Sequence, residues 1–561
     1  VVGDASVIGL QWTPTTATVV LTCATVVLYR LAVSPATLAL SVWTMPVTTG
    51  SPGPTGTGSA AADSTPVTAW TRAVAVGWTS LLTASPLVAM AYGRIPKPGG
   101  LWWLAAFLLA ILSWRFGTTD FDIRRSEASQ WTDRALLVGT AVAASFFPPV
   151  LLVWLAIVCG RLRGWTHHAM MPLRLLKAYL AWFVATAVTT SFVDIRLSLG
   201  ERPALFLVMA TVCLSHYLKP AWSKARLGPR WWCWAWENRT DFIVANAYNC
   251  GWARFLPDRV VTRVLHTMRP WVRPLNFSTM AVELSPLVAF LDRRVFVAVL
   301  GATILFHVVI FLCAGILFWE GIVTNAALAT AAIFLPHNDT APAFGLWPAA
   351  VAVTLMALTI PDLLWQPFHL GWWDNPFTTR IWWRVQTVSG RTYDLGNDFM
   401  CPFEREFGRW TGLFFVPEPV LGGAGWGATL RDRELRDRIR AAVGDLTALD
   451  ELKRAHGTLW CDEQQAEDHV AFLLTVFHRL NAGARKGPLP RRLRWLKAPG
   501  GQLFQWSDLP PYRGEEPVRR IVISCEERSY VAAEDELVLL RERVLREIDV
   551  PTAPPRVAVT G

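Results

Sequence analysis

Charge is what this chain has least of. Asp, Glu, Lys and Arg make up 17% of its 561 residues, where soluble domains carry roughly 25%. That shortage excludes an ordinary cytosolic protein and a disordered, self-repelling chain. Cysteine is scarce as well, nine in all, which excludes a small disulfide scaffold. There is no Cys-x-x-Cys pair, so neither a zinc knuckle nor a thioredoxin-type motif is supported. Walker A, GxGxxG, HExxH and GxSxG are all missing, which leaves nucleotide hydrolysis and standard hydrolase chemistry without support. Of the 53 basic residues, only those at 97, 177, 219, 224, 453, 486 and 497 are lysines.

What is present is apolar. Hydrophobic residues make up 52% of the chain, 30 residues are Trp, and the mean hydropathy is +0.31. Apolar runs occur at about 17–43, 73–92, 99–114, 135–159, 173–193, 204–218, 276–291, 295–319, 321–336 and 346–365. Many approach the ~17–25 residues that carry a helix across a bilayer. The expected fold is an all-α polytopic membrane bundle of eight to ten crossings with a soluble α/β tail. Trp102-Trp103, Trp231-Trp232 and Trp372-Trp373 stand at run ends, where an apolar ring with a polar N–H prefers the interface. Pro148-Pro149 predicts a kink in the 135–159 run. The chain opens Val1-Val2, which predicts a processed, trimmed or partial chain, and no basic n-region of a signal peptide precedes the first run.

Four regions follow: an N-terminal transmembrane segment (1–45), a Pro/Gly/Ser/Thr-rich linker (46–66), a transmembrane domain (67–379) and a soluble C-terminal domain (380–561). Within the third, 219–275 holds ten Lys/Arg and many aromatics. It reads as an interfacial layer or a re-entrant element. In the tail, "WWRVQTVSGRTYDLG" predicts a hairpin turning at Ser389-Gly390, and "EEPVRRIVISCEE" predicts a strand. Residues 429–443 and 535–548 show helical periodicity with i,i+4 charge pairs. The net charge is +10, which suits an anionic membrane surface. The basic run 485–497, with its one Trp, points to anionic lipid rather than to nucleic acid. The tail, basic near 485–497, joins the last span directly, which favours a cytoplasmic tail. The membrane would be the plasma membrane in a bacterium and an endomembrane in a eukaryote.

Few residues offer chemistry. Lys219 and Lys224 end an apolar helix near His216. A lysine there either serves as a base or snorkels to the headgroups. Glu283 and His307 lie in apolar helices, where ionisable groups are functional candidates or buried hydrogen-bonded partners. Glu320, next to Trp319, reads as a helix end. His167 and His168 precede a span, and one of them could donate to a substrate oxygen. Cys233 and Cys250 share a loop, so a disulfide is open to them in an oxidising compartment. Cys213 reads as packing. His456, Cys461, His469 and His478 match no zinc-finger spacing, so no metal is assigned. Sequons begin at Asn238, Asn276 and Asn338.

The order of these pieces resembles the HTTM superfamily, which includes the vitamin K-dependent γ-glutamyl carboxylase. The resemblance is carried by His168, "HYLKPAWSK", Trp231, Glu283-Leu-Ser-Pro, Phe306-His307 and Gly315-Ile-Leu-Phe318. It covers about 70–335. It departs at Lys219-Pro220, where the family has a small, glycine-containing stretch, and in 225–275 and the tail. The resemblance implies a reduced, vitamin K-like quinone as cofactor and carboxylase-like lyase chemistry. Lys224 would be the base, His168 the oxyanion donor, and His307 and Glu283 would shape the site. His216, Trp231 and Phe306 would line the cofactor, and the acceptor would be a protein or peptide. The competing expectation is a non-enzymatic scaffold, assembly factor or transporter whose tail docks a partner.

Overall fold

The computed structural model describes residues 13–34, 37, 96–160, 170–396, 398–400, 403, 412–422, 430–499, 504 and 506–551. The run at 73–92, the 46–66 linker and both His167 and His168 lie outside them.

The described residues are mostly helical up to residue 358. The first helix, α1 (Pro14–Leu28), starts where Thr13 and Thr16 cap one another reciprocally and Pro14 occupies the first turn. Then come α2 (Trp102–Thr118), α3 (Glu127–Phe146), α4 (Leu151–Gly160), α5 (Met170–Phe192) and α6 (Glu201–Ala225). Shorter helices follow: α7 (Cys233–Glu237), α8 (Thr240–Asn249), α9 (Asp258–Met268) and α10 (Val272–Leu284). The helical part closes with α11 (Arg293–Ala314), α12 (Trp319–Phe334) and α13 (Leu346–Leu358).

Five helical stretches are long and apolar enough to cross a membrane: Pro14–Val33, Gly99–Thr118, Met171–Phe192, Ile195–Ala225 and Arg293–Ala314. A sixth arises if His337–Ala343 and Leu346–Leu358, bent by 63°, count as one. Eight to ten crossings are therefore not found among the described residues. The 135–159 run is not one kinked helix but two, because Phe147 leaves the helical region before Pro148 and Pro149, which lack the N–H groups to continue it. The 276–291 run stops at Leu284, so α10 has 13 residues, about 20 Å at 1.5 Å per residue and too short to span.

Helix α6 is the centre of the bundle, with residues 203–215 buried without a break. It runs parallel to α11, for Phe206 meets Phe296 near their starts and Tyr217 meets His307 further along. Gly315 ends α11 at φ +66°, and a Cβ there would stand 2.6 Å from the Trp252 ring. Only glycine fits that turn.

The tail holds a four-stranded antiparallel sheet in the order β2-β1-β3-β4. Its strands are β1 (Phe377–Thr387), β2 (Thr392–Asp394), β3 (Val518–Val531) and β4 (Glu536–Asp549). Helices α14 (Arg433–Ala441), α15 (Leu446–His456) and α16 (Glu463–Asn481) lie between β2 and β3. The hairpin turns at Ser389-Gly390, as expected, with Gly390 at φ +84°. The 429–443 helix is found in part, as α14. The 535–548 helix is not found, because that segment is β4, paired along the whole of β3. Asp535 turns the chain at φ +55°, and the second edge of β3 would otherwise hold unpaired backbone groups. Fourteen residues of pairing outweigh a modest helix propensity. Cys233 and Cys250 are both buried, and the disulfide open to them is not formed.

The two parts are joined closely. Trp506 donates its backbone N–H to Gly251 (2.8 Å), and Phe504 donates to Gly315 (2.9 Å). Trp252 stacks on Trp506 at 5.4 Å. Arg433 and Arg436 reach back to Glu237 on α7.

Candidate functional site

Helix α6 carries two polar stripes, and each meets a different partner. Cys213, Tyr217 and Lys224 are spaced by four and seven residues, which puts them on one side of a 3.6-residue helix. Ser215, His216, Lys219 and Ser223 fall on another side.

At the end of the first stripe, Lys224 Nζ donates to both carboxylate oxygens of Glu283 on α10, at 2.6 and 2.8 Å. Both residues are buried, and the Trp234 ring lies 5.2 Å from the ammonium. Burial pushes the Glu283 carboxyl above its ordinary range, and the Lys224 charge offsets part of that.

Two turns back, about 10.5 Å along the axis, Tyr217 begins a network whose directions can be read. Cys213 Sγ–H donates to Asn325 Oδ1 at 2.9 Å. That fixes Asn325 Nδ2 as the donor to Tyr217 Oη and to Thr303 Oγ1 (3.1 Å). Thr303 passes its own proton to the Leu300 carbonyl. Tyr217 Oη accepts from Asn325 and lies 2.8 Å from His307 Nε2. With the phenol as donor, Nε2 is the acceptor and the ring proton sits on Nδ1. That Nδ1 is shielded from solvent and has no hydrogen-bond partner among the described residues. Phe318 lies 5.2 Å and Phe306 6.1 Å from the His307 ring, centroid to centroid. The result is one N–H donor facing an aromatic, apolar surrounding.

The second stripe is engaged elsewhere. His216 Nε2 accepts from Arg174 on α5 (2.6 Å), and its Nδ1–H meets the Val212 carbonyl (2.9 Å). Lys219 is fully buried against Asp362, Ser223 lies 3.3 Å from His369 Nδ1, and Trp365 donates to Ser215 at 2.6 Å. These contacts bind residues 362–369, which lead from α13 towards the sheet, along α6.

The fold therefore brings Lys224, Glu283 and His307 to one side of α6, with Phe306 beside the His307 ring. It leaves His216 on another side and Trp231 at 57% exposure beyond the helix end. His168 lies outside the described residues. Sequence reasoning missed Tyr217, Asn325 and Cys213 as a relay. It also missed Arg115, which pairs with Glu320 between α2 and α12 with both side chains buried. Glu320 does stand at a helix end, in the first turn of α12, and is also a buried partner within the bundle. The available signal was a polar or charged residue inside an apolar run, which seldom stands there unpaired.

Asn238 and Asn276 are buried and hydrogen-bonded, so neither sequon offers a free amide. His469 accepts from Trp383 Nε1 (3.2 Å) among aromatic rings, and His456 meets Arg438.

No protein-family model, curated relative or solved structure matches the chain.

Proposed function

We propose that the protein is a multi-pass integral membrane protein whose central helix carries a buried proton-transfer centre for a lipid-soluble hydroquinone. One observation carries this reading. The Lys224–Glu283 acid–base pair and the Tyr217–His307 pair share one side of α6, and the second of them ends in an unpartnered Nδ1–H. In this reading Lys224 yields its proton to Glu283 and takes one from a substrate hydroxyl, so that the carboxylate holds the net proton. His307 Nδ1–H orients a substrate oxygen, and Phe306 and Phe318 exclude water from it. The HTTM-like resemblance supplies the substrate class and the carboxylase-like outcome.

The basic residues support an orientation. Eight arginines, Arg226, Arg230, Arg239, Arg254, Arg259, Arg263, Arg269 and Arg273, follow the end of α6 that carries the sheet, against five basic residues at the opposite end, Lys97, Arg196, Arg202, Arg293 and Arg294. The excess of basic residues next to the spans lies on the tail side, so we place that side in the cytoplasm.

A non-enzymatic scaffold, assembly factor or transporter has one observation in its favour: Lys224 and Glu283 satisfy each other, as a structural pair does. The test is quinol-dependent incorporation of labelled CO2, or quinol epoxidation, by protein in lipid. Wild type is compared with Lys224→Ala and with the double variant Lys224→Met/Glu283→Leu. Activity in wild type that is lost in both variants supports the enzyme, provided the double variant stays folded. Equal activity in all three moves the base elsewhere. Inactivity of wild type with several quinols favours the scaffold or transporter reading.

A further inference from the structure

The C-terminal domain meets the bundle at the end of a candidate span, and what it presents there is not inert. Residues Arg491–Leu496 form a 3-10 turn. Trp114, in the last turns of α2, donates its indole N–H to the Leu496 carbonyl at 2.8 Å. The Ala498 N–H bonds Thr118 Oγ1 at 3.0 Å, and Lys497 pairs with Asp120 at 2.9 Å. These three contacts hold the turn at the level where the apolar run of α2 ends.

At that level the outward side chains have the wrong character for water. Trp495 is 77% exposed, Leu493 42% and Leu496 37%. Arg492 and Arg494 alternate with them, both exposed and in no ion pair among the described residues. The neighbouring cations differ, since Lys486 and Lys497 both pair with Asp120. Two uncompensated arginines beside an exposed Trp and Leu, at the rim of an apolar helix, form a surface complementary to an anionic lipid headgroup layer.

We infer that this turn is a separate membrane contact of the C-terminal domain. Leu493 and Trp495 enter the interface of the bilayer, and Arg492 and Arg494 take the phosphates of anionic phospholipids. The sheet is then held against the membrane rather than hanging from it. The inference rests on the reading of α2 as a membrane span.

The experiment places the full chain in nanodiscs of phosphatidylcholine alone or with phosphatidylglycerol, and follows amide exchange of the 490–498 peptide. Exchange is expected to be slower by roughly tenfold or more with phosphatidylglycerol. Arg492→Gln/Arg494→Gln should abolish that difference, and Trp495→Ser should speed exchange in both lipids. Equal exchange in the two lipids overturns the inference, as does a difference that survives in the arginine variant. Protection that follows protein concentration instead of lipid also overturns it, because it assigns the turn to a second copy. If the chain fails to enter nanodiscs at all, the span reading falls first. If it enters and 490–498 stays unprotected, only this contact falls.

Discussion

The bundle and the sheet treat buried charge in opposite ways. At the centre of the bundle Lys224 and Glu283 pair only with each other among the described residues, while Asp362, 37% exposed, meets both Lys219 and His369 (3.7 Å). In the sheet, charge is shared. Glu526 faces Arg384 at 3.0 Å, Arg528 at 3.0 Å and Arg254 at 3.8 Å. Lys453 reaches both Glu527 (2.7 Å) and Asp450 (3.0 Å). A lone buried pair has no substitute partner, so losing one member strands the other in a low-dielectric interior. A network redistributes. The bundle should therefore be brittle to single polar changes and the sheet tolerant of them.

The largest expected effect is at Lys224. Lys224→Ala leaves Glu283 buried without its cation and should cost about 3–5 kcal/mol. Lys224→Met/Glu283→Leu removes both charges and should regain most of that, because well-packed apolar replacements of buried pairs are often neutral. Thermal melting in lipid reads both. If the double variant is no more stable than the single one, the loss comes from packing, and the contrast with the sheet is broken.

Tyr217→Phe comes next. It takes the donor from His307 Nε2 and the acceptor from Asn325 Nδ2 while leaving the ring in place. Stranding two polar groups should cost about 2–4 kcal/mol at one to two per group. A paired test at the ring separates structure from ligand binding. In His307→Gln the amide can stand near Nε2 and keep the Tyr217 contact. In His307→Asn it can stand near Nδ1 and keep the inward donor. The proposed function predicts that a probe such as decylubiquinol binds the Asn variant better, whereas melting favours the Gln variant. If both measurements rank the variants the same way, the inward donor has no ligand role.

A smaller effect sharpens the comparison at the junction. Asp374 stands between bundle and sheet, where burial pushes its carboxyl from 3.8 to about 6 despite the Asn238 and Trp372 donors and the Arg440 charge. Asp394 in β2 is likewise raised to about 6 by burial. Each folded value lies above the unfolded one, so the contribution is complete below about pH 4 and is lost as pH rises through about 6. Two units correspond to about 3 kcal/mol at most. Melting should fall between pH 5 and pH 7.5 in wild type. Asp374→Asn and Asp394→Asn should each flatten that slope. An unchanged slope in either variant removes that residue from the account.

Sequence pattern made the bundle legible where burial is periodic or continuous. The apolar runs found α2, α5, α6 and α11; an ionisable group inside such a run pointed to Glu283 and His307, and a lysine past the end of one pointed to Lys224. It failed where a partner lies far along the chain. Nothing local to His216 announces Arg174, 42 residues earlier. Asn325 sits in an apolar run that hides its bonds to Tyr217 and Cys213 on another helix. For β4 the pattern was read with the wrong period, because Arg541, Glu542, Arg543 and Arg546 suit i,i+4 pairing on a helix. In the fold they bond across space instead, Arg541 to Asp450, Arg543 to Glu418 and Arg546 to Glu463. Hydropathy predicts what is buried by itself, whereas charge-rich strands are specified by the neighbours they find.

The smallest expected effect is the one that would damage the comparison most if it proved large. Arg528→Gln removes one of the three cations around Glu526, whose side chain is 5% exposed. Arg384 remains at 3.0 Å and also holds Glu542, and Arg254 remains at 3.8 Å. The carboxylate keeps a charged hydrogen-bond donor, so no buried charge is stranded, and the cost should stay below about 1 kcal/mol, as for a partly exposed pair. Removing Arg384 and Arg528 together should cost clearly more than the sum of the two single changes, because the pair shares one anion. Melting of the three variants beside Lys224→Ala decides the matter. A single Arg528→Gln loss as large as that of Lys224→Ala would mean that the sheet does not redistribute charge, and that its arginines are as individually indispensable as the lysine at the centre of the bundle.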